Sequence, residues 1–132
     1  MAISFKSIRK LSATEFELDI NYVFTTTFKV PSELMKKYEE ICKKEHYIKS
    51  DLLRAWITSF LALSPAEQDI IVKTYTKMEL KDRRIFGIRL VDEVMNELDE
   101  IAKRNNVSRS DVIRSIMVFK IERYERTGEF DL

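Results

Sequence analysis

Apolar residues recur with two different periods along this chain. From Phe16 to Val30, the residues Phe16, Leu18, Ile20, Tyr22, Phe24, Phe28 and Val30 fall on even positions, and the odd positions are mostly polar. That is the period of a half-buried strand. The run is long for one strand, so a turn or bulge is expected near Asn21. Phe86, Ile88 and Leu90 repeat the alternation, with Ile85, Gly87 and Arg89 on the opposite parity. After each strand the period lengthens. Leu34, Tyr38 and Ile41, then Val94, Leu98 and Ile101, fall at i, i+4, i+7 and mark one face of a helix. A second helix follows in each case, with apolar faces Leu52, Leu53, Trp56, Ile57, Phe60 and Val112, Ile113, Ile116, Met117, Ile121.

Local chemistry sets the expected boundaries. Pro31 stops the first strand and Ser32 is the expected N-cap of the first helix; Asp92 takes that role in the later segment. The first helix of each pair ends near His46 and Asn106, residue types that tolerate the left-handed conformation of a C-cap. The second helices start at Lys49-Ser50-Asp51 and at Ser108-Arg109-Ser110-Asp111. Ser64-Pro65-Ala66-Glu67 combines a cap, a proline at the first helical position and a glutamate at the third. It predicts a connecting helix running toward Met78, and Thr127-Gly128 ends the last helix.

The two strand-helix-helix segments are copies. Sliding the chain by 60 residues superposes 24–61 on 84–121 without a gap. Identities fall at Glu33/Glu93, Met35/Met95, Glu40/Glu100, Ile41/Ile101, Lys43/Lys103, Ser50/Ser110, Asp51/Asp111 and Arg54/Arg114. Ordinary composition would give roughly two or three by chance. Neighbouring positions keep their character, as in Phe28/Ile88, Lys29/Arg89 and Leu53/Ile113.

Composition removes most catalytic readings. Apolar residues make up 45% and charged residues 34% of 132 residues, enough for one cored domain. Two glycines exclude a P-loop and a dinucleotide fingerprint, and one cysteine with one histidine excludes a Cys/His zinc cage. Cys42 and His46, at i, i+4, are too few for a metal, and Trp56 reads as core. No cofactor, catalytic group, small-molecule ligand or membrane span is expected, and no signal peptide is read at the start; the lone cysteine favours an intracellular, cytoplasmic setting. The charges nearly cancel, with 23 basic against 22 acidic residues. Their distribution does not: Lys6, Arg9 and Lys10 precede Glu15, Glu17 and Asp19, and Lys81, Arg83, Arg84 and Arg89 face only Asp82. Few glycines and many Lys, Glu and Arg also fit a heat-adapted protein.

The strand and two helices, with IRL, then LDEIA, then VSRSDVI in the second copy, resemble the ribbon-helix-helix DNA-binding family of the MetJ, Arc and CopG type. The first copy keeps the outline in FKVPSELMKKYEEICKKEHYIKSDLLR. The tandem form resembles regulators from viruses of hyperthermophilic archaea. The resemblance implies a mainly α fold with a short antiparallel β-ribbon (α+β), non-enzymatic, binding double-stranded DNA and dimeric. A lone strand lacks a ladder partner, so either the two copies pair within one chain as a pseudo-dimer, which the chain's economy favours, or two chains pair, with further association on DNA open.

On that resemblance the outward ribbon positions contact bases: Thr25, Thr27 and Lys29 in one copy, Ile85, Gly87 and Arg89 in the other. Lys29 and Arg89 suit guanine O6/N7, whereas Ile85 offers only apolar contact and Gly87 no side chain, so reading is expected to be asymmetric. Phosphate contacts are expected at the N-termini of the second helices, from Lys49 and Ser50 and from Ser108, Arg109 and Ser110, with Arg83 and Arg84 beside the second strand. Ile48 stands where the second copy has Ser108, which weakens the first of these sites. The expected organisation is an N-terminal arm at 1–23, copy one at 24–63, a linker helix at 64–83, copy two at 84–127 and a tail at 128–132. An antitoxin-like module and a structural or assembly module are the rival readings; the short tail argues against the first.

Overall fold

In the computed structural model, residues 10–12, 15–17 and 23–130 are described. The elements run β1 (Lys10–Ser12), β2 (Glu15–Glu17), β3 (Val23–Pro31), α1 (Ser32–Glu45), α2 (Lys49–Leu61), α3 (Pro65–Tyr75), β4 (Arg83–Val91), α4 (Asp92–Asn105) and α5 (Arg109–Thr127). β3 and β4 form a two-stranded antiparallel sheet, and β1 and β2 form another. The fold is therefore mainly helical with short β, as the pattern predicts. The expected turn near Asn21, and Leu18, Ile20 and Tyr22, lie outside the described residues.

The chain divides into two compact units, Met1–Thr26 with Ile88–Asn96, and Thr27–Gly87 with Glu97–Leu132. In the first, β1 and β2 pair antiparallel with Lys10 opposite Glu17 and Leu11 opposite Phe16. Thr26, Ile88, Leu90 and Met95 are buried, and Thr25 and Arg89 are exposed. Phe24 departs from its parity and is 46% exposed. Alternation assigns a face, but burial at the end of a strand also needs something lying over it.

The second unit holds the larger core. Phe28 stacks on Phe86 with ring centroids 5.5 Å apart, Tyr38 of α1 meets Phe86 at 5.8 Å, and Trp56 of α2 packs edge-on to Tyr38 at 5.4 Å. Each large apolar side chain buried in this way is worth about 1.5–3 kcal/mol. Leu52, Leu53, Ile57 and Phe60 of α2 and Val112, Ile113, Ile116 and Met117 of α5 are fully or almost fully buried, as their spacing predicts. Gln68 of α3 is buried, and its amide nitrogen lies within hydrogen-bond distance of the carbonyls of Phe60, Leu61 and Leu63, which surround the end of α2.

The repeat extends to backbone detail. His46 and Asn106 both take positive φ, 63° and 61°, after the first helix of each pair. The N–H groups of Tyr47 and Val107 then bond back to the carbonyls of Cys42 and Ala102 at 2.8 and 2.9 Å. Ser64 and Glu67 close the expected capping box on α3, and Gly128 ends α5 at φ 72°.

Three boundaries differ from expectation. Ser32 is the first residue of α1, not its cap; Pro31 stands before it and makes no side-chain bond. Ser32 is used otherwise, with its N–H and hydroxyl donating to the carbonyl and carboxylate of Asp82 at 2.8 and 3.0 Å. Asp92 likewise lies inside α4, in its first turn, where the helix dipole favours a carboxylate. α3 stops at Tyr75, short of Met78. Thr74 and Thr76 donate back to the carbonyls of Ile70 and Val72, a bonding mode that weakens a helix end. Among the described residues no helix is long and apolar enough to cross a membrane.

Candidate nucleic-acid interface

Strand geometry sorts side chains by parity. In β4 the exposed residues Ile85, Gly87 and Arg89 alternate with buried Phe86, Ile88 and Leu90. In β3 the exposed residues Thr25, Thr27 and Lys29 alternate with buried Thr26, Phe28 and Val30. All six predicted base-contact positions thus lie on the solvent parity of two paired strands. Ile85 is 74% exposed, an apolar side chain that the fold does not use internally.

The start of α5 is built for order. Ser108 accepts from the Asp111 N–H at 3.1 Å, and the Ser108 N–H donates to the Asp111 carboxylate at 3.0 Å, a reciprocal box. The serine hydroxyl is committed to the helix, so an anion here would meet the backbone N–H groups of the first turn, including that of Ser110. Arg109 grips Asp99 of α4 through two nitrogens at 2.7 and 2.8 Å, which holds that carboxyl below its usual range. The start of α2 lacks a side-chain cap, because Ile48 occupies the position, and Ser50 is half-buried in the first turn.

A carboxylate gathers the cations near α2. Glu39 of α1 accepts from Arg84 at 2.8 and 2.7 Å and from Lys49 at 3.1 Å. The Arg84 guanidinium first, then Lys49, pulls the Glu39 carboxyl down to about 2. Arg83 donates to the Leu80 carbonyl at 3.0 Å. Sequence reading missed Glu39 and its counterpart Asp99. The signal was available: 39/99 and 49/109 both stand one repeat apart, and each keeps the sign of its charge.

The remaining sequence candidates divide. Lys6 and Arg9 lie outside the described residues. Cys42 is buried, and among the described residues no group of three His, Cys, Asp or Glu could hold a metal. Trp56 is core, 1% exposed.

Comparison with known proteins gives one family. Residues 84–124, spanning β4, α4 and α5 as far as Tyr124, match the model for the ribbon-helix-helix protein, copG family. No curated protein and no solved structure matches the chain significantly. The mainly helical fold with its antiparallel strand pair is consistent with the α+β architecture of that family.

Proposed function

We propose that this protein is a sequence-specific double-stranded DNA-binding transcription regulator. Its two copies act as a pseudo-dimer within one chain, and the β3–β4 ribbon enters the major groove. The observation that carries the reading is the alternation of β4, with Arg89 outward, inside the segment that matches a family of generally DNA-binding regulators. Lys29 and Arg89 donate to guanine, Thr25 and Thr27 meet bases or thymine methyls, and Ile85 adds apolar contact. The N-termini of α2 and α5 contact phosphates, with Lys49, Ser50, Ser108, Arg109 and Ser110 at those ends and Arg83 and Arg84 beside β4. The functional pieces are 24–63 and 84–127, joined by 64–83.

The test is fluorescence anisotropy over a salt series, with random duplex and with DNA upstream of the protein's own gene. Tighter binding to the upstream DNA, weakening steeply with salt, is the expected result. Lys29→Ala combined with Arg89→Ala is expected to abolish the preference and leave the thermal melt in place. Operator affinity retained by that double variant would overturn ribbon reading, and no binding to either duplex at low salt would overturn the DNA function.

A further inference from the structure

Ile85 of β4 is the most exposed large apolar side chain among the described residues, at 74%. Its neighbours fix where it points. Arg84 is held by Glu39 of α1 at 2.8 and 2.7 Å. Phe86 is buried against Phe28 and against Tyr38 of α1, with ring centroids 5.5 and 5.8 Å away. Both residues flanking Ile85 are thus fastened toward α1, and strand alternation aims Ile85 to the opposite side. Isoleucine suits strands mainly through packing on its neighbours and burial. At this exposure little of that gain is realised within the fold.

The space beside it is open. Gly87, the next residue of the same parity, is exposed and has no side chain. Same-face residues of a strand lie about 6.6 Å apart, so a flat surface can approach Ile85 along β4 without meeting a second side chain there. In the proposed function that surface is the major-groove edge of the base pairs. The edge carries nitrogen and oxygen donors and acceptors and a single kind of apolar group, the C5 methyl of thymine. An isoleucine side chain neither donates nor accepts. A polar base atom that it covered would lose water and gain no partner. A methyl group loses nothing, and both apolar surfaces leave water together.

We infer that Ile85 recognises the C5 methyl group of a pyrimidine. A step bearing thymine or 5-methylcytosine is then preferred to one bearing uracil or unmodified cytosine, and binding responds to cytosine C5 methylation at that step. The inference rests on the DNA reading above and names the chemical group that this position selects.

Fluorescence anisotropy on the full chain tests it, with the duplex that the parent protein selects from a random library. Each thymine is replaced in turn by uracil, which deletes the methyl and keeps the base pairing. One replacement is expected to weaken the parent about fourfold, the worth of roughly one buried methyl, and to leave Ile85→Ala unaffected. Thymines met by Thr25 or Thr27 should lose affinity equally in both proteins. At the step that depends on Ile85, a 5-methylcytosine–guanine pair should bind about fourfold more tightly than a cytosine–guanine pair. Ile85→Val keeps a branched apolar side chain and should keep most of the discrimination. The position is exposed, so the thermal melt should persist; should Ile85→Ala not fold, Ile85→Asn takes its place. A selected duplex on which no uracil effect depends on Ile85 would overturn the methyl inference and leave the DNA reading standing. Failure to bind any duplex at low salt would overturn both. A dimer in sedimentation velocity without DNA that Ile85→Ala converts to monomer would also overturn the inference, since a second copy would then cover Ile85.

Discussion

The Arg114 guanidinium donates to the backbone carbonyl of Lys29 at 2.9 Å. Another of its nitrogens holds Asp111, one turn earlier in α5, at 2.5 Å. One buried side chain thus fastens the first turns of α5 to the strand residue proposed to read bases. The matching arginine of the first copy, Arg54, likewise holds the matching aspartate, Asp51, at 3.0 Å.

Truncating that fastener is expected to be costly. Arg114→Met keeps much of the packing volume but leaves the Lys29 carbonyl without this donor and Asp111 without its cation. A stability loss of about 2–3 kcal/mol is expected, read as a lower urea midpoint. Operator affinity should fall more than random-duplex affinity, because the strand loses its register to α5 while surface cations stay. Equal losses on both duplexes would show that Arg114 is purely structural.

Glu39 restrains two of the cations proposed for phosphate contact. Glu39→Gln weakens its hold on Arg84 and Lys49 and removes a negative charge beside them. Affinity for random duplex should rise about threefold at low salt, and the slope of log affinity against log salt should steepen by about 1. Unchanged binding in anisotropy would place Arg84 and Lys49 outside the contact.

The elements were legible because burial and period agree. One helical stripe per helix, one parity per strand and two αL-tolerant residues at matching positions all point to the same fold. What was not legible depends on partners distant in sequence. Ser32 looks like a cap until Asp82 is beside it, and Glu39 looks like a solvated charge until Arg84 reaches it. The outward face of the strands is legible to the same extent: parity names its six exposed residues. Parity is silent on Arg114, whose role comes from a carbonyl 85 residues away.

Acid should destabilise the fold in a defined window. The Glu39 carboxyl ordinarily titrates near 4.5 and in the fold near 2. A depressed carboxyl contributes stability that is fully present above its unfolded value and lost as pH falls through the folded one. Asp69, Asp99 and Asp111 are shifted the same way; hydrogen bonds from Arg104 and Arg109 are the main cause for the first two, and for Asp111 bonds from Ser108 and Arg114 outweigh the burial that opposes them. Urea midpoints should therefore hold from neutral pH down to about 5 and drop progressively below it. Added salt should shrink the part of the drop that comes from the half-exposed pairs of Glu39, Asp69 and Asp99, and less the part from Asp111, whose arginine is buried. Glu39→Gln should remove part of it.

The paired left-handed caps make a sharper stability test. Asn106→Val puts a β-branched residue at φ 61°, and a loss of about 1–2 kcal/mol is expected. Asn106→Gly should cost nothing measurable or stabilise slightly. His46, at φ 63°, should follow the same order. Thermal or urea melts of the four variants check it, and Val tolerated as well as Gly at either site would contradict the cap assignment.

The outward faces of the two strands differ, and the difference can be engineered away. β3 presents Thr25, Thr27 and Lys29 where β4 presents Ile85, Gly87 and Arg89, position for position at the repeat offset. Gly87 is exposed and lies within β4, where a threonine suits an extended backbone. Ile85→Thr with Gly87→Thr gives β4 the series Thr, Thr, Arg, close to the Thr, Thr, Lys of β3. If the ribbon reads bases, two strands with similar outward series should select a more palindromic site. Binding-site selection from a random duplex library is expected to give unequal half-sites for the parent protein and nearly matching half-sites for the double variant. Identical selected sequences from both proteins would mean that Ile85 and Gly87 do not face bases, and the reading strand would then be β3 alone.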